Sequence, residues 1–180
     1  EIKKFESIFS QSMKFMDDSE RKKAGLIITD CSESHRLGDI DGDFSDLDTF
    51  IIDHHKTSLE SVVNGYVNPQ APACAFIVQL FYENLIGKLP TDVARIIFLG
   101  LATDTGYFRF LNSDSSDVFA AAGRLVSYGV EPRLIYNKIN NGKPFSTRKL
   151  LGVLLQKAER YLDGRLIITY ESLEDTKRYG

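Results

Sequence analysis

The chain has 180 residues, 43% of them hydrophobic, which is enough to close one core and ordinary for a globular domain. Its formal net charge of -3 excludes a bulk positive field that would draw it to a polyanion or an anionic membrane, so any recognition of nucleotides has to be local. The longest apolar runs, such as 96–102, are too short to span a bilayer, and the charged, aromatic-interrupted start lacks the layout of a signal peptide.

In chain order, Ile2, Phe5, Phe9, Met13 and Met16 recur at helical intervals and predict an amphipathic helix over 2–16 that packs on a sheet. The apolar runs 25–29 and 50–52 predict strands. Their hydrophobicity is continuous rather than alternating, as in a parallel sheet covered on both faces. A helix then begins near Pro72 and runs through Phe76, Ile77, Leu80, Phe81 and Leu85 to a stop at Gly87. Thr91 and Asp92 suit the start of the next, which carries Val93, Ile96, Ile97 and Leu101. A third runs from about Asp114 to Gly129, and Pro132 opens a fourth that ends in Asn140-Asn141-Gly142. Ser146 is expected to cap a long helix whose apolar set extends from Leu150 through Ala158, Tyr161 and Leu162 before Gly164, and 165–170 reads as a strand. These elements predict an α/β fold, a parallel sheet followed by a helical second half, with no repeat.

Both predicted strands end at an aspartate, Asp30 and Asp53, and ligands of open α/β sheets sit at the carboxyl ends of strands. Two histidines, His54 and His55, follow the second, and Asp104 closes a helix in a Thr-Asp-Thr-Gly turn. Alone, each has a plain structural role: Asp30 and Asp104 as turn or cap residues, the histidines as polar loop residues. Together, carboxylates and imidazole at converging strand ends suit a divalent transition metal such as Mn2+. Arg109, framed by Tyr107, Phe108 and Phe110, is either a clamp for a phosphate or base, or a surface arginine beside core aromatics.

Other chemistries fit less well. The acidic loop 39–43 departs from a calcium loop, with Phe44 at the glycine position and Phe50 at the glutamate position, and His35 reads as a loop residue. No Gly-x-Ser-x-Gly elbow is present. Cys31 and Cys74 have no metal or redox spacing; they read as small core residues of a reducing compartment, so a cytoplasmic location is expected.

The block Ile51-Ile52-Asp53-His54-His55, preceded by Thr29-Asp30 and followed by the run from Gly100 to Phe110, resembles the DHH phosphoesterase family, most closely its RecJ-like branch of nanoRNase/pAp phosphatases. That resemblance implies that Asp30, His54 and Asp104 ligate metal, Asp30 bridging two Mn2+ ions, with Mg2+ or Co2+ as alternatives. It implies that His55 faces the substrate phosphate, with Asp53 supporting the histidines; Arg109 is a candidate substrate contact from its own aromatic setting. The implied activity is hydrolysis of short oligoribonucleotides and 3′-phosphoadenosine 5′-phosphate (pAp), or of a cyclic dinucleotide. The expected partner is a short RNA or nucleotide, with a homodimer left open and no membrane.

The family's upstream His/Asp block, its C-terminal glycine-rich histidine motif and its asparagine after the histidine pair find no match here. Asp17-Asp18 do not replace the first, and Lys56-Thr57-Ser58 stand where the asparagine is expected. Residues 1–145 would then be the main part of a catalytic domain lacking its first metal-binding block, and 146–180 a helical linker and the start of a substrate-binding domain. Both ends read as cuts, which predicts weak or no activity from the chain alone.

Overall fold

A computed structural model describes residues 24–32, 47–59, 62 and 64–179 of the chain. The helix expected over 2–16, Asp17, Asp18, His35 and the acidic loop 39–43 lie outside the described residues.

The two apolar runs form strands β1 (Gly25–Thr29) and β2 (Asp48–Asp53), which pair in parallel from Gly25 opposite Asp48 to Thr29 opposite Ile52. A third parallel strand, β3 (Gly65–Val67), joins the far side of β2 and gives the order β1-β2-β3. Gly65 is required by close approach: a Cβ there would lie 2.3 Å from the Ile51 carbonyl oxygen. Asn64 donates to the Thr49 carbonyl at 2.7 Å and ties the start of β3 to the same strand.

Helix α1 (Cys74–Leu85) follows, beginning two residues after the expected Pro72, and buries Cys74, Phe76, Ile77 and Gln79. Helix α2 (Thr91–Asp104) buries Ala94, Ile97, Phe98, Leu99, Leu101 and Ala102, and approaches α1 so closely at Gly100 that a Cβ would come within 2.9 Å of the Ala75 methyl. Helix α3 (Ser116–Ser127) contributes Val118, Ala121, Ala122 and Leu125 to the same core. Arg124 of α3 grips Glu83 of α1 with Nε at 3.0 Å and Nη2 at 2.8 Å, and Gln79 donates to both Glu83 and the Ala121 carbonyl. Phe98, Leu89, Leu101 and Leu125 are fully enclosed, so the core lies where these three helices meet.

Helix α4 (Pro132–Asn140) starts at its predicted proline and buries Ile135. The described residues divide inside it, at Ile135 and Tyr136, into two compact units. The second holds α5 (Phe145–Gln156), a hairpin of β4 (Glu159–Tyr161) and β5 (Leu166–Ile168), and α6 (Leu173–Tyr179).

Two expectations are corrected here. Helix α5 is preceded by Pro144 rather than capped by Ser146, and it ends at Gln156. The helical spacing of Ala158, Tyr161 and Leu162 is overridden by turn chemistry, because Leu162, Asp163 and Gly164 all take left-handed angles and fold 159–168 back as an antiparallel hairpin. Ser172 and Asp175 open α6 with reciprocal bonds, the Ser172 hydroxyl accepting from the Asp175 amide and Asp175 accepting from the Ser172 amide and hydroxyl. With Lys157 as its first cause, followed by Ser172, the Asp175 carboxyl is held down at about 2. The α/β class with a parallel sheet is as the sequence predicts.

Candidate metal centre

The parallel register places Asp30 one step beyond the Thr29–Ile52 pair, and its amide continues the ladder by donating to the Ile52 carbonyl at 2.9 Å. Asp30 and Asp53 therefore leave adjacent strand ends side by side. Asp30 takes a left-handed backbone (φ 63°), which aspartate tolerates better than most residues, and half of its side chain remains exposed.

His54 sits on the next strand end with its Nδ1 3.1 Å from the Ala71 carbonyl oxygen. A carbonyl can only accept, so Nδ1 carries a proton, and Nε2 is the ring nitrogen left to bind a metal. That Nε2 faces Asp30 Oδ1 at 3.3 Å and Asp104 Oδ2 at 3.8 Å. Ligands bonded to one ion at about 2.1 Å in tetrahedral geometry are about 3.4 Å apart, so these separations fit a shared cation. The histidine is oriented from behind by a carbonyl, an arrangement that fixes the tautomer of a metal-binding imidazole.

Asp53, by contrast, is buried at 1% exposure and points inward. Its Oδ1 accepts from the His54 amide (2.7 Å), the His55 amide (3.1 Å) and His55 Nδ1 (2.7 Å), while Oδ2 accepts from the Ser58 hydroxyl at 2.6 Å. Burial pushes the Asp53 carboxyl up, but the bonds from Ser58, the His55 ring and the two amides outweigh it and hold the group ionised, below the usual carboxylate value. His55 consequently carries its proton on Nδ1, which lies 3.8 Å from Asp30.

Asp104 ends α2 and is followed by an unusual turn. Gly106, Tyr107 and Phe108 are three consecutive left-handed residues, with φ of 57°, 58° and 71°. Each L-residue held this way is disfavoured by roughly 1–2 kcal/mol. The surroundings over-determine the conformation: Tyr107 N–H donates to the Ala102 carbonyl, Phe108 N–H to the Thr105 hydroxyl, and Tyr107 Oη to the Pro132 carbonyl at 2.7 Å. Phe108 also packs edge-on against Phe98 at 5.7 Å and lies 5.7 Å from the Phe119 ring. Burial and then the charge of Asp30 push the Asp104 carboxyl up, against the histidines, which pull it down. Beyond the turn, Arg109 is exposed and stacked over Phe110 at 4.6 Å.

Asp30, His54 and His55 offer ligand atoms within 4.8 Å of one another, and Asp104 joins them through His54. A cavity of about 470 Å³ borders Asp30 and Asp104, walled by Ala75, Val78, Ile96 and Leu99 among others. Cys74 lines it too, but its thiol donates to the Ile52 carbonyl, and burial together with the charge of Asp30 pushes it up to about 12; it remains a thiol and a poor ligand. The structure thus brings Asp30, Asp53, His54, His55 and Asp104 into one cluster, while Arg109 stands on the loop after it. Sequence reasoning missed the Ala71 carbonyl, Ser58 and Ser32. A backbone carbonyl has no sequence signature, whereas the signal for Ser58 was its place three residues after the histidine pair.

No family model matches the sequence. The chain is 29% identical over 119 residues to the bifunctional oligoribonuclease and PAP phosphatase NrnA of Thermus thermophilus, an alignment of 66% of this chain and 36% of that protein. In fold it matches an exopolyphosphatase-related protein from Bacteroides fragilis with a TM-score of 0.75 at 21% identity, over 85% of this chain and 46% of that one. The chain therefore spans roughly a third of the curated relative's length and under half of the solved chain. Among the described residues, no helix is long and apolar enough to cross a membrane. The fold shared with the solved protein agrees with the α/β class of this chain.

Proposed function

We propose that this chain carries a metal-binding half-site of a phosphoesterase that hydrolyses short oligoribonucleotides and pAp. The observation that carries the reading is the convergence of His54 Nε2 on Asp30 and Asp104, with the opposite ring nitrogen tied to the Ala71 carbonyl. The substrate class follows the oligoribonuclease and PAP phosphatase activity of the Thermus relative.

In this reading Asp30, His54 and Asp104 would hold divalent metal, Mn2+ by preference. A bound ion supplies an activated water nucleophile and neutralises charge that develops on the phosphoryl oxygens. The chain's own groups do the rest. Asp53 fixes the His55 ring so that its Nε2 edge is presented to a phosphate, as a hydrogen-bond donor when protonated. Arg109 supplies a planar fork for a second phosphate, and the exposed Phe110 face offers a base a surface to stack on.

The test is hydrolysis of pAp and of a diadenylate by the purified protein, with and without Mn2+, followed chromatographically, together with calorimetric titration of Mn2+. Hydrolysis that requires the metal, weak in a chain that carries only a half-site, is the expected result. Cleavage of a cyclic dinucleotide alone would move the assignment to a cyclic-dinucleotide phosphodiesterase. Mn2+ binding without turnover would leave a nucleotide-binding fragment, and no Mn2+ binding would refute the metal centre.

A further inference from the structure

The buried Ser58 hydroxyl has a position that the site as described does not use. Ser58 is 0% exposed and lies in the 3-10 turn Lys56–Leu59, directly after the histidine pair. Its Oγ is 2.6 Å from Asp53 Oδ2 and 2.7 Å from the Ser32 hydroxyl. A hydroxyl has one proton, and an ionised carboxylate can only accept, so Ser58 gives its proton to Asp53 and receives the one from Ser32. Ser32 stands two residues after Asp30, on the loop that leaves β1; Ser58 stands on the loop that leaves β2. The two hydroxyls therefore join the loop carrying one carboxylate of the cluster to the loop carrying both histidines.

The division of donors on Asp53 gives this contact its weight. Three N–H groups converge on Oδ1, two of them backbone amides and the third the His55 ring, whereas Ser58 is the donor to Oδ2. Rotation of the carboxylate about Cβ–Cγ would strip the His55 ring of its partner, and the Ser58 bond opposes that rotation. A buried carboxylate oxygen that loses its donor is strongly disfavoured, so the carboxylate would turn or draw in water rather than stay in place.

We propose that Ser58, backed by Ser32, is a positioning residue of the centre: a hydroxyl latch that sets the Asp53 carboxylate and, through it, the orientation of the His55 ring beside Asp30. The link to turnover rests on the phosphoesterase reading; the link to the His55 ring does not.

The test uses the full chain. Wild type, Ser58→Ala, Ser58→Thr and Ser32→Ala are compared by long-range 1H–15N spectra of the histidine rings, and by kcat and KM for pAp in Mn2+. Wild type is expected to show the His55 Nδ1 proton as a downfield, exchange-slowed signal. Ser58→Ala should lose or broaden that signal and lower kcat about 10- to 100-fold, the usual range for groups that orient metal-site residues, with little change in KM. Ser58→Thr, which keeps the hydroxyl, should restore both, and Ser32→Ala should fall between. A Ser58→Ala protein with the wild-type His55 signal and unchanged kcat would overturn the latch. Should Ser58→Ala fail to fold, Ser32→Ala decides, because it keeps the donor to Asp53 and removes only its backing; an unmoved His55 signal there overturns the proposal. Absence of Mn2+-dependent turnover in wild type would sink the phosphoesterase reading, while the spectra would still judge the latch.

Discussion

Replacing a glycine by alanine is expected to have opposite signs at two positions of the first unit. At Gly106 the backbone is left-handed (φ 57°), so alanine is disfavoured by roughly 1–2 kcal/mol, less the roughly 0.4–1 kcal/mol by which alanine stiffens the unfolded chain. The added methyl would also lie 2.4 Å from the Phe110 ring. That ring is 65% exposed and can swing away at little loss of buried area, though it would leave its stack on Arg109. The net expectation is a destabilisation of about 1 kcal/mol. Gly123 lies inside α3, is exposed, and an added methyl would meet nothing within 4 Å. There alanine should stabilise by about 0.5–1 kcal/mol, its helix-propensity advantage. Urea unfolding followed by far-UV circular dichroism measures both, and the two variants should separate by about 2 kcal/mol. A Gly106→Ala protein as stable as Gly123→Ala would refute the left-handed turn that follows Asp104.

Three further outcomes are expected. Leu101→Ala, at a fully buried position of α2, should destabilise the protein by about 3–5 kcal/mol in the same unfolding experiment, whereas Leu155→Ala, at 66% exposure, should change it by under about 0.5 kcal/mol. Although burial pushes the Glu83 carboxyl up, Arg124 and Gln79 outweigh it and hold the group below its ordinary 4.5. A depressed folded value stabilises the protein above 4.5 and loses that contribution as pH falls through it, so wild type should lose more stability than Glu83→Gln between neutral and acid pH, read from urea midpoints across that range. With His54 a direct ligand, as proposed, His54→Ala should weaken Mn2+ binding by about 100-fold or more in calorimetry; near-normal affinity would remove His54 from the centre.

The parts of the fold that could be read from the sequence are those whose local chemistry and tertiary role agree. The strands at 25–29 and 50–52 were legible from their continuous apolar runs, but the cover expected on both faces is not seen among the described residues, where Ile27 is 66% exposed; the site was legible because each strand ends at an ionisable residue. Strand β3 was not, since Gly65-Tyr66-Val67 is too short to show a period and is specified by its pairing with 51–53. Nor was the end of α5: Tyr161 and Leu162 continue a helical spacing by coincidence, and only the Leu162-Asp163-Gly164 turn signals the reversal. Within the cluster, the charged residues were visible, but the Ala71 carbonyl that selects the His54 tautomer and the Ser32 hydroxyl that reaches Ser58 are brought in by folding alone.

The parallel pairing of β1 with β2 has a further consequence. Leu26 and Ile28 line one face of β1 and Ile27 and Thr29 the other, so a slip of one residue would exchange two faces of similar apolarity, and side-chain burial discriminates weakly between registers. It would also part Asp30 from the Ile52 carbonyl and turn its carboxylate away from His54. Ion capture at the proposed centre would then favour the native alignment of the strands over its neighbours, and a metal titration of this chain would double as a measurement of how firmly its sheet is indexed.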